Sequence, residues 1–218
     1  MNSLFPILAV ETTGEMCSVA VMLDQKNFIE LNYLEKHIHS QKLINMVDTV
    51  LLQSEIKLEN VKAIAVSMGP GSFTGLRIGM AAAKGLAFGS SLGLIPVPTF
   101  DAFSLQISET LPRNQVFNLI TNASIDDVYW AKYKTEKGSV ETTSPLELID
   151  KGELKSKLSS NETNYGNAIV AEIELLNTQL RASYVAKWAY LFGSELLTFD
   201  YDNLEPNYIK EFIGKVKK

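Results

Sequence analysis

At 218 residues, 46% of them hydrophobic, the chain has the length for one large domain or two small ones around a sizeable core. A formal net charge of −5 excludes a protein that grips nucleic acid by its own field, because phosphate affinity comes mainly from Lys and Arg. A single cysteine excludes a disulfide framework, and two histidines leave little material for a metal cage.

No apolar run reaches the length of a bilayer span, and the opening MNSLFPILAVETT lacks the basic region and small-residue cleavage site of a secretory leader. The expected location is the cytoplasm, with no membrane partner. In chain order, PILAVETT and CSVAVMLD are expected strands joined by a turn at Thr13 to Glu15, and NFIELNYLE is a third strand. From Ser40, a residue suited to capping, the spacing of Leu43, Val47, Val50 and Leu51 predicts a helix. AIAVSM follows as a buried strand, Phe73 to Gly89 as a helix, and LGLIPVPT as a strand ending at prolines. After a helical stretch around Asp101 to Leu111, QVFNLITNA, DDVYWAKYKT and SVETTSPL read as three more strands and ETNYGNAIV as a fourth, while ASYVAKWAYLFGSELL has the period of an amphipathic helix. The pattern is two β-β-β-α units in tandem, the second shorter and irregular, with no low-complexity linker between them.

The loop MGPGSFTG between the buried strand and its helix fits none of the familiar glycine motifs. A phosphate-binding P-loop would need glycine where Thr74 or Leu76 stands, and no lysine follows. A dinucleotide fingerprint starting at Gly69 and Gly71 would need glycine at Thr74. A nucleophile elbow at Ser72 would need glycine at Pro70. What remains is a tight structural turn: Gly69 and Gly71 permit unusual backbone angles, and Ser72 or Thr74 caps the helix. A helix N-terminus that attracts an anion is the alternative. Within the helix, Gly75, Gly79, Ala82, Ala83 and Leu86 fall at three- and four-residue spacing and make a face with almost no side-chain volume. Either the parent sheet or a helix of another subunit packs very close to it.

Together ILAVETT, CSVAV, HSQKL, GPGSFTGLRIG, KGLAFG, VPTFDAFS, DDVYW and PNYIK resemble the TsaB family over nearly the whole chain, most strongly in residues 7 to 104. The resemblance implies an α/β protein of two tandem actin-like ATPase (ASKHA, RNase H-like) domains, divided here as 1–107 and 108–218. It implies a non-catalytic subunit that binds and activates a TsaD-like catalytic subunit, with a TsaE-like ATPase joining the complex. The reaction of that complex is threonylcarbamoylation of the adenosine beside the anticodon in tRNAs reading codons that begin with A. It also implies an interface on the helices of the first domain, and the residues assigned to it are Leu43, Val47, Leu51, Gly75, Gly79, Ala82, Ala83 and Leu86. Alone the chain is expected to form a homodimer and to bind no cofactor. ATP or ADP enters in the complex, and tRNA is met through the complex alone.

The departures from the catalytic relatives point the same way. Those relatives hold a metal with an H-x-x-x-H helix motif, whereas here His39 is followed by Leu43 at the second ligand position. A worn nucleotide cleft is expected at Glu11, Thr12, Thr13, Asn122 and Gly166: Glu11 stands where the family shows Asp, Asn122-Ala123-Ser124 where it shows D-A-R, and Gly166 is alone where nucleotide-binding relatives have several glycines. Asn45 replaces a family proline, and Lys210 an arginine. Cys17, Tyr129 and Trp130 read as core packing, with an interface rim as the alternative for the two aromatics, and His37 and His39 as exposed or capping residues. Lys210, Lys215, Lys217 and Lys218 form either a solvated tail or a contact to tRNA in the complex. The contrasting functional class is an ASKHA-type ATPase or metallopeptidase active on its own.

Overall fold

The computed structural model describes residues 4–35, 38–137 and 139–209. His37 and the lysines at positions 210, 215, 217 and 218 lie outside the described residues.

The first sheet contains β1 (Ile7–Glu11), β2 (Met16–Met22), β3 (Phe28–Leu34), β4 (Ala63–Gly69) and β5 (Gly93–Pro98), in the order β3-β2-β1-β4-β5. The three N-terminal strands form an antiparallel meander, while β1, β4 and β5 run parallel. Parallel strands need crossover helices, and these are α1 (His39–Gln53) and α2 (Phe73–Ser90). Both pack on one face of the sheet, where Leu8, Val10, Val19, Ile64 and Val66 meet Leu43, Val47, Val50, Met80 and Ala83. β1 is buried along its whole length because helices cover both of its faces, which is why it reads as a continuous apolar run.

The second sheet has the order β10-β9-β6-β7-β8, from β6 (Val116–Asn122), β7 (Asp127–Thr135), β8 (Val140–Asp150), β9 (Thr163–Gly166) and β10 (Leu176–Asn177). Helices α3 (Thr99–Ser108) and α5 (Ala182–Phe192) lie between the two sheets. Their apolar faces join Ile7, Ala9 and Ala65 of the first sheet with Phe117, Leu119, Tyr129 and Tyr133 of the second in one core. On the outer face of the second sheet Leu154 of α4 (Lys151–Lys157) packs with Ile120, Val128 and Trp130. The layers therefore run helix pair, sheet, helix pair, sheet, helix. The halves proposed at 1–107 and 108–218 carry one sheet each, and α5 returns from the second half to the sheet of the first.

Several local expectations are corrected. Ser40 does not cap α1: the helix starts at His39, and its N-cap residue Ile38 has no side-chain capping bond. Ser72 does cap α2, its hydroxyl accepting from the Gly75 amide at 3.2 Å. ETNYGNAIV yields just four strand residues, and α4 and the two-residue β10 lie where no element was expected. Capping of α5 is tertiary. The Ser18 hydroxyl accepts from Ala182 N at 2.8 Å, and the Glu30 carboxylate accepts from Ser183 N at 2.7 Å, so β2 and β3 supply what Arg181 at the N-cap does not.

Candidate functional site

A cleft of about 930 Å³ opens between the two sheets at the ends of their first hairpins. Glu11, Thr13 and Gly14 line it from the β1–β2 turn, Gly71 and Ser72 from the glycine loop, and Thr121 and Asn122 from the β6–β7 turn. Asn167 and Gln179 close its floor.

Glu11 is the buried carboxylate at the centre of this region, 1% exposed. Its Oε1 accepts from the Thr13 amide at 2.5 Å and from the Thr13 hydroxyl at 2.6 Å, while Oε2 accepts from the Ser67 hydroxyl. Burial pushes its pKa above the ordinary carboxylate value, and the bonds from Ser67 and Thr13 pull it partway back. Both oxygens are thus committed to tying the β1–β2 turn to the end of β4. Cys17, wholly buried on the same hairpin, has its thiol pushed up to about 12 by burial, with the Glu11 charge adding to the effect. Such a thiol is inert core.

The glycine loop is shaped by close approach. Thr13 carbonyl oxygen accepts from Ser72 N at 2.8 Å, and a side chain on Gly71 would meet Thr13 Cβ at 2.5 Å. Thr12 turns away from the cleft into α2, where its hydroxyl donates to Gly75 O at 2.8 Å and fills the hollow beside Gly79. Gly69 has φ +113°, and a Cβ there would lie 2.6 Å from the carbonyl oxygen of Asn207, whose amide donates to Met68 O at 2.7 Å. The loop is a packing joint among the first hairpin, α2 and the late Pro206-Asn207-Tyr208 segment.

Of the cleft residues expected from the sequence, Glu11, Thr13 and Asn122 share the cleft wall, whereas Thr12 and Gly166 do not. Gly166 has φ +134° and presses on Ile120 of β6, which leaves no room for a side chain. Asn167, unremarked in the sequence, ties the end of β6 to the segment before α5: its Oδ1 accepts from Asn122 N at 3.4 Å and its Nδ2 donates to Gln179 Oε1 at 3.1 Å. A side chain on Gly14 would sit 3.0 Å from that Gln179 oxygen. The donor set is poor for a magnesium nucleotide: both oxygens of the one buried carboxylate already accept hydrogen bonds, and Asn122 contributes an amide where a hard cation calls for a carboxylate. Among the described residues no three His, Cys, Asp or Glu side chains gather as a metal site.

The residues expected at a partner interface divide differently. Leu43, Val47, Leu51, Gly75, Gly79 and Ala83 are buried inside the monomer, and Ala82 and Leu86 are half-buried. The glycines lie close to Thr12 of the same chain. The outward surface of the helix pair is another set: Ile44 and Leu52 on α1, 49% and 73% exposed, with Arg77, Ala81, Gly85 and Phe88 on α2, Phe88 being 78% exposed. Among the described residues, nothing outside their own helical turns lies within 4 Å of where a side chain on Gly85 or Gly89 would start. Gly85 and Gly89 lie four apart on the exposed shoulder of α2, beside the half-buried Ala82 and Leu86 of the stripe chosen from the sequence.

The TsaB protein of Buchnera aphidicola subsp. Schizaphis graminum, a tRNA threonylcarbamoyladenosine biosynthesis protein, is 32% identical over 154 residues, which cover 69% of this chain and 72% of that one. The chain belongs to the TsaB family. Proteins of the same description from Haemophilus influenzae and Escherichia coli are 35% and 33% identical, matched over 60% and 68% of this chain. The matched stretches span 55% and 63% of those two relatives' own length. The family model for TsaD, tRNA N6-adenosine threonylcarbamoyltransferase, matches residues 34–172 of this TsaB-family chain. In structure, YeaZ from Pseudomonas aeruginosa superimposes with a TM-score of 0.76 at 21% identity, over 92% of this chain and 99% of that one. The likeness establishes the fold of two α/β units, which together with the TsaD family-model match fits domains of the actin-like ATPase type. Among the described residues no helix is long and apolar enough to cross a membrane.

Proposed function

We propose that this chain is a non-catalytic subunit of tRNA threonylcarbamoyladenosine synthesis that binds and activates a TsaD-like catalytic subunit through the outward face of α1 and α2. The observation that carries the reading is the pair Gly85 and Gly89, flanked by exposed Phe88, Ile44 and Leu52. Glycine inside a helix costs about 0.8–1.0 kcal/mol against alanine, and nothing among the described residues requires these two to be small. A helix seated from outside does require it, since small residues let helix axes approach closely.

The chain alone forms a homodimer on the same face. A TsaE-like ATPase joins the complex, ATP or ADP is bound in the complex and not by the isolated chain, and tRNA is met through the complex, in the cytoplasm. The commitment of Glu11 to Thr13 and Ser67 supports a non-catalytic role. The domain division at residue 107 belongs to the same proposal.

The test is to mix the purified chain with the TsaD protein of the same genome and follow the complex by size exclusion, then measure threonylcarbamoyladenosine formation on tRNA with TsaE added. Gly85→Trp is expected to abolish association and leave the circular dichroism spectrum unchanged. Hydrolysis of ATP or peptide by the chain alone, lost in Glu11→Ala, would overturn the reading.

A further inference from the structure

The exposed row of α2, Thr74, Arg77, Ala81, Gly85 and Phe88, carries one charged side chain, and that side chain is held in place. Arg77 follows Phe73 by one helical turn, so its guanidinium lies over the Phe73 ring, 4.0 Å from the centroid. Its Nε donates to the Tyr208 hydroxyl at 3.4 Å. Tyr208 comes from the other end of the chain: its ring centroid is 5.0 Å from that of Phe73, and the neighbouring Asn207 is anchored on Met68. Among the described residues no carboxylate pairs with Arg77, and its two terminal nitrogens make no hydrogen bond.

An arginine stacked on an aromatic ring has given up much of its side-chain freedom before a partner arrives, which lowers the entropy cost of docking. Its remaining N–H groups form a fork matched to the two oxygens of a carboxylate. The surroundings select the source of that carboxylate. A polyanion such as RNA would call for several cations, but the row on one side of Arg77 is Ala81, Gly85 and Phe88, and the neighbouring helix offers Ile44 and Leu52 with the exposed Asp48 between them, a charge that repels RNA. Small and apolar groups, with one pre-ordered arginine and a single carboxylate on the neighbouring helix, fit a packed protein helix that brings an Asp or Glu to the arginine.

We propose that Arg77 is the polar anchor of the partner face and that the protein seated there presents a carboxylate to its fork. Phe73 and Tyr208 are positioning residues that aim it. This inference rests on the partner reading above and adds to it the chemistry that the partner surface must carry.

The experiment is a calorimetric titration of wild type, Arg77→Lys, Arg77→Gln, Arg77→Glu and Gly85→Trp with the TsaD protein of the same genome, at low and raised salt. Arg77→Glu is expected to weaken binding by about thirtyfold or more, the scale of a hot-spot loss. Arg77→Gln is expected to cost about tenfold and Arg77→Lys less, since lysine keeps the charge and loses the fork. Raised salt should weaken the wild type more than Arg77→Gln. Arg77→Gln keeps the stem packed on Phe73, so it reports on binding even if Arg77→Glu folds poorly. Wild-type binding that Gly85→Trp abolishes and the charge variants leave within about twofold would overturn this inference and leave the partner reading standing. No binding by the wild type would overturn the partner reading first, and the anchor with it.

Discussion

The Thr12 hydroxyl donates to the Gly75 carbonyl at 2.8 Å, and the same side chain occupies the space beside Gly79 that a methyl group would need. A methyl on Gly75 would run into the Thr12 backbone carbonyl; one on Gly79 would meet the Thr12 hydroxyl, the end of a side chain. Gly75→Ala is therefore expected to destabilise the fold by about 1–3 kcal/mol, and Gly79→Ala by less. Gly85→Ala, with open space at its position, should stabilise by about 0.8–1.0 kcal/mol. Thermal melts of the three variants check the order, and a destabilised Gly85→Ala would refute the outward placement of that residue.

The buried carboxyl of Glu11 gives a pH signature. Its folded-state pKa lies above the ordinary value of 4.5, so the folded protein holds this proton more firmly than the unfolded chain does. The stabilisation from that proton is complete below pH 4.5 and is lost as pH rises through the folded value. Glu11→Gln can keep the geometry, its oxygen accepting from Thr13 and its amide donating to Ser67. The difference in unfolding free energy between wild type and Glu11→Gln should therefore move in favour of the variant as pH rises from about 4 to neutrality. Denaturant titrations across that range provide the measurement, and a pH-independent difference would show that folding leaves the carboxyl's proton affinity unchanged.

How much of this was legible in the sequence depended on whether a pattern names its own neighbour. β1, β4 and α2 were legible because a continuous apolar run and a 3.6-residue stripe each announce burial directly. The glycines of α2 were not, because a missing side chain says that something comes close without saying from which side. Gly75 and Gly79 face Thr12, while Gly85 and Gly89 face solvent, and the residue type is the same. Helix α4 was hidden by a short polar stretch containing Gly152, held down by the single buried residue Leu154. At the cleft, Glu11 and Asn122 could be placed on facing hairpins from the tandem strand pattern. The link from Asn167 to Gln179 could not, since two amides in irregular segments carry no periodic signal.

The capping of α5 from another element predicts a measurable cost. Glu30, 7% exposed at its side chain, accepts from Ser183 N, and the Ser18 hydroxyl accepts from Ala182 N. Replacing either acceptor leaves a buried amide unpaired at a helix N-terminus, so Glu30→Ala and Ser18→Ala should each destabilise by about 1 kcal/mol. The Arg181 contact at 4.0 Å adds little, because that side chain is 43% exposed. Arg181→Ala is accordingly expected to fall within about 0.5 kcal/mol of wild type. Chemical denaturation resolves these values, and an Arg181 effect as large as that of Glu30 would place the stabilisation in the ion pair instead.

Helix α5 also decides whether the first sheet can stand alone. Its residues Val185, Ala186 and Ala189 are wholly buried in the core shared with Ile7, Ala9 and Ile95, so a fragment of residues 1–107 exposes the part of that face that α3 does not cover. Apolar burial is worth about 25 cal/mol per Å², and a domain's net stability is about 5–15 kcal/mol, so losing a helix from the core removes a large part of the margin. The fragment is expected to lack cooperative unfolding and to aggregate. Adding a separate peptide of residues 179–199 should restore a sigmoidal melt, because it supplies α5 and the Thr198 backbone that pairs with Leu94 at the edge of β5. A fragment 1–107 that melts cooperatively without the peptide would mean that the first sheet is stabilised by α1, α2 and α3 without α5. The same comparison with Glu30→Ala in the fragment tests the cap independently: the peptide should then bind several-fold more weakly, since about 1 kcal/mol corresponds to roughly a factor of five in affinity.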